Sequence, residues 1–493
     1  MSGAYVLAVD QSTQGTKGLL FDRNGVLVCR ADRPHRQIVD EHGWVEHDPD
    51  EILKNTLGVC AGVLQKAGVS PAEVGCLGIS NQRETSLMWD KATGKPVYNA
   101  IVWQCARAAE LCARPEIASQ AQRVRQKTGL NLSPYFPAAK LGWLMENVPE
   151  AARLAQEKRL ACGTVDAWLL YSLTGQHKTD YSNASRTQLF NITSLQWDEE
   201  LCRLFHIPAD ALPEVCMSDS VFGETDLGGL LPNKIPVCGV LGDSHGALFG
   251  QNCRAAGGIK ATYGTGSSVM LNIGERPLFS EAGIVTSLAW GIGGKVNYVL
   301  EGNLNYTGAV ISWLKDQVGL IASASETEAL SRDADKEDRA YFVPAFTGLG
   351  SPYWDSAATG LLTGVTRTTG RREIVKACVE CIAYQITDLL RIMQREYGGA
   401  LHTLRADGGP TGNGYLMQFQ SDMADMTVAV PQLQELSGMG AAYLAGISAG
   451  LYDPERVFAG IRYSSYAPEM DPGRREALYR GWQAAVRQAL THP

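Results

Sequence analysis

YVLAVDQSTQGTKGLLFDRNG (Tyr5–Gly25) places an apolar run ending in Asp10, a short polar stretch, Lys17 and a second apolar run in immediate succession. Tyr5 to Val9 and Lys17 to Phe21 predict two strands. DRNG (Asp22–Gly25) is a hairpin signal, and Val26 to Arg30 predicts a third strand. A tight turn between the first two strands exposes backbone N–H groups that have no ladder partner. Gly15 permits close approach there. Ser12, Thr13 and Thr16 add hydroxyls around Gln14, so the turn is built to cradle phosphate oxygens. Lys17 supplies a point charge on the same side. Asp10, at the strand end, stands where a carboxylate holds Mg²⁺ directly or through water. Taken alone, a polar β-turn with a solvated lysine describes the stretch as well, because short motifs mislead.

A second turn changes the balance. TYGTGSS (Thr262–Ser268) again sets glycines and hydroxyls between two apolar runs, with Gly264 and Thr265 at its centre. Two such hairpins, one per domain, can grip a triphosphate from both sides of a cleft. A third element, ADGGPTGNG (Ala406–Gly414), follows a short strand and opens a helix, the setting for a nucleotide at a helix N-terminus. Its glycine spacing is not that of a dinucleotide-binding turn, and no G-x-x-x-x-G-K-[ST] occurs anywhere.

The surrounding elements repeat in order. After the three strands a helix is expected from Pro49, with Asp48 as N-cap and Gly68 as stop, and then a strand at VGCLGIS. In the second half, strands at GIKATY, SSVMLNIG and GKVNYVLEGNL precede a helix at TGAVISWLKDQ. A strand at LHTLRADGG, a helix over about 413–423, a strand at MTVAV and a helix at GMGAAYLAGIS follow. We expect two related α/β domains, residues 1–250 and 251–493, with the first phosphate turn and acceptor site in one and the second turn and nucleoside site in the other.

The 493 residues are 45% hydrophobic and 19% charged, with a formal net charge of −8, which argues against nucleic-acid or anionic-membrane partners. No apolar stretch reaches bilayer length, and the start of the chain lacks a basic region followed by a cleavage site, so no membrane span or secretory signal is expected. Of twelve cysteines only Cys378 and Cys381 stand at C-x-x-C spacing, in an apolar context that reads as the buried face of a helix. Free buried thiols fit a reducing cytoplasm.

DQSTQGTKG, YGTG and ADGG together resemble the phosphate and adenosine elements of the actin/Hsp70/sugar-kinase superfamily, with its ribonuclease H-like two-domain ATPase fold. Within it the chain is similar to the FGGY carbohydrate kinases. YFPAAKLGWLMEN (Tyr135–Asn147) and GLLTGVTRTTGRREIVKACVE (Gly360–Glu380) match that family's two signatures. GWVEHDP, NQRET, GKPVYNAIVWQC, GTVDAWLL, TDYSNASRT and PAFTGLGSPYWD are the phrases of its glycerol kinases. The resemblance implies transfer of phosphate from MgATP to a terminal hydroxyl of a small polyol, in a homodimer or homotetramer.

A polyol pocket needs groups that bind hydroxyls in pairs, an aromatic floor and one base. Arg83, Glu84, Trp103 and Tyr135 match the family's acceptor-binding positions. Without the resemblance the first two read as a surface ion pair and the others as core aromatics. Asp243, ending the strand in VCGVLGDSHGALFG, matches the general base; read alone, it is equally an N-cap for a helix from about Gly246. Thr13, Gln14, Lys17, Gly264, Thr265, Gly308, Ser312, Gly409, Pro410 and Asn413 match nucleotide positions, and Asp10 with Asp243 the metal positions. Two acceptor-pocket residues depart from glycerol kinases: Ser244 replaces a glutamine and Ser268 a phenylalanine, both emptying pocket volume. Those changes suit an acceptor of four or five carbons as well as glycerol. Lys17 replaces an arginine and Ser312 a glutamine. GGLLPNK and CMSDSVFGE lack the loop and the histidine used for control in some relatives, so neither control is expected. A ketopentose kinase of the same family and an actin-like ATPase switch are the alternative readings.

Overall fold

The structure, a computed structural model, describes residues 3–433 and 435–491. Strand β1 (Tyr5–Gln11) pairs antiparallel with β2 (Gly15–Phe21), putting Asp10 opposite Lys17, and β2 pairs with β3 (Leu27–Pro34). Helix α1 (Pro49–Ala67) starts where expected. The Asp48 carboxylate accepts from the N–H groups of Asp50 and Glu51, and Gly68 ends the helix in the left-handed region at φ 66°. Strand β4 (Val74–Asn81) runs parallel to β1. After a long insertion, β5 (Val221–Thr225) and β6 (Ile235–Gly242) complete the sheet in the order β5-β6-β4-β1-β2-β3. Helix α2 (Asp243–Gly250) follows directly.

The second sheet is built alike. Strands β7 (Ile259–Tyr263), β8 (Ser267–Gly274), β9 (Val285–Ile292) and β10 (Lys295–Leu304) lead into helices α3 (Gly308–Trp313) and α4 (Arg371–Tyr397). Then come β11 (Thr403–Asp407), α5 (Gly414–Ala424), β12 (Thr427–Pro431), α6 (Leu436–Ser448) and β13 (Tyr463–Tyr466). The order is β9-β10-β8-β7-β11-β12-β13. In each sheet an antiparallel meander (β1-β2-β3 and β7-β8-β10) is extended by two parallel strands (β4, β6 and β11, β12).

Helix α6 comes from the second half of the chain but lies on β1, β4 and β6 of the first sheet and against α2. GMGAAYLAGIS is rich in small residues because both its sides are covered: a Cβ on Gly440 would overlap the Gly246 carbonyl of α2. Its contacts merge Leu19, Phe21, Leu248, Phe249, Met439, Leu444 and Trp290 into one core that spans both halves. The insertion between β4 and β5 supplies three strands of a smaller five-stranded sheet, completed by Ile38–Val39 and Val45–His47 from the segment before α1, and a core around Met88, Ile101, Leu111, Leu141 and Phe205.

Three local expectations are corrected or refined. The helix expected from about Gly246 begins at Asp243, with extended Gly242 in the N-cap position, so the Asp243 side chain is not an N-cap. The TGAVISWLKDQ helix changes at Leu314 into a π turn ending at Val318. The helix expected over 413–423 is capped rather than begun by Asn413. Cys378 and Cys381 are buried on α4, and the twelve cysteines are free thiols. Among the described residues no helix is long and apolar enough to cross a membrane.

Candidate active site

On the side of the second lobe, a cavity of about 850 Å³ is lined by Gly264, Thr265, Gly308, Ser312, Gly409, Pro410 and Asn413, together with Ile311 and Leu416. Backbone bonds hold its turn. Gly264 N–H donates to Gly266 C=O at 2.8 Å. Thr307 and Ala309 N–H both donate to Thr265 C=O, at 3.0 and 3.1 Å, and Gly308 N–H donates to Gly264 C=O at 2.9 Å. Gly408 has φ 100°, and a Cβ there would overlap the Tyr263 carbonyl, so only glycine lets the third element close onto β7. The Asn413 side-chain oxygen accepts from Leu416 N–H at 3.0 Å and its amide donates to Thr327 Oγ1 at 3.1 Å.

On the side of the first lobe, Thr13 and Gln14 lie on the β1–β2 turn. Lys17 Nζ is 2.7 Å from Glu435 Oε2 and 4.0 Å from Asp10 Oδ2. Asp10 Oδ1 accepts from Ser80 Oγ at 2.9 Å. Burial pushes the Asp10 carboxyl up to about 6 against the pull of Lys17, and the carboxylates of Asp243 and Glu435 push the same way. A divalent cation would relieve that excess of negative charge, and hard carboxylate oxygens are the donors Mg²⁺ takes, one or two at a time, beside phosphate and water. Asp10 and Asp243 fit that pattern. Among the described residues no group of three or more His, Cys, Asp or Glu is placed to hold a metal by itself.

Between these regions lies a cluster of buried charges. Arg83 and Glu84, which read alone as a surface pair, are both buried. Glu84 sits in the left-handed region at φ 61°, a strained setting for a side chain of its size, and accepts from Arg186 Nε at 2.6 Å. Arg83 donates twice to Glu301, at 3.1 and 2.9 Å, and its Nε is 3.3 Å from Asp243 Oδ1. Asp243 keeps 37% of its side chain exposed. It therefore faces the cleft with a guanidinium behind it. Ser244 N–H donates to Asp243 Oδ1 at 2.6 Å, and Ser268 Oγ donates to Glu301 Oε1 at 3.4 Å. Trp103 and Tyr135 meet edge to face at 5.6 Å. His245 points inward: it is buried, both its ring nitrogens lack partners, and burial beside Arg83 pushes it well below the ordinary histidine range.

Three residues of this site were not singled out in the sequence. Glu301, on β10, joins Arg83 to Arg186 and is fully buried. Burial works against its ionisation, but Arg186 and Arg83 outweigh it and hold the carboxyl well below its usual range. The signal available was a lone glutamate in an apolar strand, which is buried only when paired. Arg186 carried only the quoted phrase TDYSNASRT. Lys140 donates to the carbonyls of Pro134 (2.8 Å) and Tyr135, fixing the turn that presents Tyr135, and burial pushes it down to about 7.

A pair of sheets of this order, with a nucleotide-sized cavity on one side of the junction and a cluster of buried charges at it, is the arrangement of a phosphotransferase of the actin-like ATPase fold. Residues 5–250 match the model of the FGGY family of carbohydrate kinases, N-terminal domain, and residues 259–449 that of its C-terminal domain. The chain belongs to the FGGY family of carbohydrate kinases. It is 47% identical to glycerol kinase 1 of Thermotoga maritima over 491 residues, covering 99% of this chain and 100% of that protein. Identity to the glycerol kinase of Symbiobacterium thermophilum is 46% over 493 residues, 99% of each chain. The structure matches that of Plasmodium falciparum glycerol kinase with ADP at a TM-score of 0.93 and 34% identity, over 99% of both chains. A ligand-bound xylulose kinase of Lactobacillus acidophilus shares the fold, at a TM-score of 0.89 and 21% identity, over 99% of this chain and 98% of that one.

Proposed function

We propose that the protein transfers the γ-phosphoryl group of ATP to a terminal hydroxyl of a small polyol, glycerol or a somewhat larger sugar alcohol. The observation that carries this reading is Asp243: a half-open carboxylate at the head of α2, 3.3 Å from a buried guanidinium. Arg83 and Glu84 bind acceptor hydroxyls, and Trp103 and Tyr135 form the floor under its C–H face. The Asp243 carboxylate takes the proton of the attacking hydroxyl. The hydroxyl oxygen bonds to the γ-phosphorus as the bond to the β–γ bridging oxygen breaks. ADP departs, and Asp243 returns its proton to solvent. The turns at Thr13 and Thr265 hold the phosphates, and Gly409, Pro410 and Asn413 border the adenosine. Asp10 and Asp243 are the residues that would hold Mg²⁺, which supplies charge neutralisation on the phosphates. Closure of the lobes over the acceptor keeps water from the γ-phosphorus.

Acceptor-dependent ADP release with MgATP tests the reading across glycerol, erythritol, threitol, pentitols and ketopentoses. We expect turnover with polyols and a loss of about 10²–10⁴-fold in kcat for Asp243→Asn. Turnover in that variant near the original level, or ADP release from ketopentoses alone, overturns it. Ser244 and Ser268 leave room for four or five carbons, and a clear preference for glycerol removes that refinement.

A further inference from the structure

We infer that Trp103 and His35 are positioning residues that clamp Thr13 from two sides and tie the phosphate turn to the acceptor floor. The inference rests on the reading above, in which the Thr13 turn binds phosphate and Trp103 lies under the acceptor.

Trp103 Nε1 is 2.9 Å from Thr13 Oγ1. An indole N–H only donates, so the Thr13 oxygen accepts, and its own O–H is left free to donate to a phosphate oxygen. On the other side His35 Nε2 is 2.8 Å from the Thr13 carbonyl. A carbonyl only accepts, so His35 carries its proton on Nε2, and its buried Nδ1 has no partner. The His35 ring packs against that of His47, centroids 4.5 Å apart. His47 Nδ1 lies 3.2 Å from Gln82 Nε2, and Gln82 Oε1 accepts from Thr85 Oγ1 at 2.9 Å. Trp103 N–H donates to Thr85 Oγ1 at 3.3 Å, which closes the circuit. Burial pushes His47 down to about 3 and lowers His35 as well, so both rings are neutral and each keeps one tautomer. Gln82 stands next to Arg83 in NQRE. The circuit therefore runs between Gln82, the chain neighbour of Arg83, and Trp103 under the acceptor, and Thr13 is its outlet toward the nucleotide. A polyol seated on Trp103 fixes the indole, and the indole fixes the Thr13 hydroxyl.

Trp103→Phe keeps an aromatic floor and removes the N–H; His35→Phe keeps a ring and removes the other donor. Steady-state KM and kcat are measured for ATP and for the best polyol. The affinity for a non-hydrolysable ATP analogue is measured with and without that polyol. Both variants should raise the KM for ATP about three- to tenfold. His35→Phe should leave the polyol KM within about twofold, whereas His35→Gln, which restores a donor, should recover the ATP KM. The polyol should tighten analogue binding in the parent protein and not in Trp103→Phe. An unchanged ATP KM in both variants, or equal tightening by the polyol in parent and Trp103→Phe, overturns the inference. Asp243→Asn, assayed alongside, separates the two levels. If it abolishes turnover while the clamp variants are silent, only this inference falls; if it stays active, the reading of the site falls.

Discussion

The two glycine–hydroxyl turns occupy equivalent places, each between the first two strands of its sheet, yet they are held by opposite means. The Thr265 turn is fixed mainly by backbone, its own and that of residues 307–309: four N–H groups donate to the carbonyls of Gly264, Thr265 and Gly266, with the Thr307 hydroxyl adding to them. At the Thr13 turn, side chains from elsewhere do most of the holding, through Trp103 and His35, although Ser12 also bonds to Gly15 C=O by both its N–H and its hydroxyl. A turn held by backbone stays shaped whatever side chains surround it. One held by side chains can report on them. The first lobe carries Arg83, Glu84, Trp103 and Tyr135, and its turn is the one bonded to Trp103.

The largest effect is expected where the lobes meet. Glu301→Gln leaves Arg83 and Arg186 buried beside a neutral amide, at a cost of about 3–5 kcal/mol. Thermal denaturation should show it, and an unaltered Tm would mean that the lobes are not joined at this residue. The sign with pH follows from the depressed carboxyl of Glu301. Its contribution is present above the ordinary glutamate value of about 4.3 and is lost as pH falls below it. The Gln variant should therefore show a flatter acid limb of Tm against pH.

Next comes the backbone-held side. Gly408→Ala forces a side chain into φ 100° and against the Tyr263 carbonyl. We expect about 2–3 kcal/mol of destabilisation and a raised KM for ATP. Normal nucleotide affinity in this variant would mean that the strand-to-helix element moves independently of the second turn.

The smallest effect tests the comparison directly, with Tm measured without nucleotide. Thr13→Val strands the Trp103 indole N–H and should cost about 1–3 kcal/mol. Thr265→Val leaves the backbone bonds of its turn in place and should stay within about 0.5 kcal/mol. Equal losses at the two threonines would erase the distinction between the turns.

Much of the fold was legible because its signals are local. Asp48 and Gly68 bound α1 as their side-chain and left-handed preferences require. The strand pairs around both turns follow from short apolar runs broken by glycine, and the seven residues of the second half that the resemblance matches to nucleotide positions line one cavity. The start of α2 was misplaced because Gly242, a residue of few preferences, precedes it in extended form. Helix α6 gave no sign that it belongs on the first sheet. Its composition says only that it is buried, and which surface buries it depends on the return path of the chain.

The sequence by itself determined the elements and the two glycine–hydroxyl turns, since spacing along a chain sets which side chains share a strand end or a helix face. Tertiary structure alone decided the partners. Arg83 meets Glu301 across 218 residues, and Trp103 meets Thr13 across 90. A charge or an indole N–H has no preferred partner along the chain, only a need to be satisfied once burial removes water. The packing of the two lobes chooses what satisfies it.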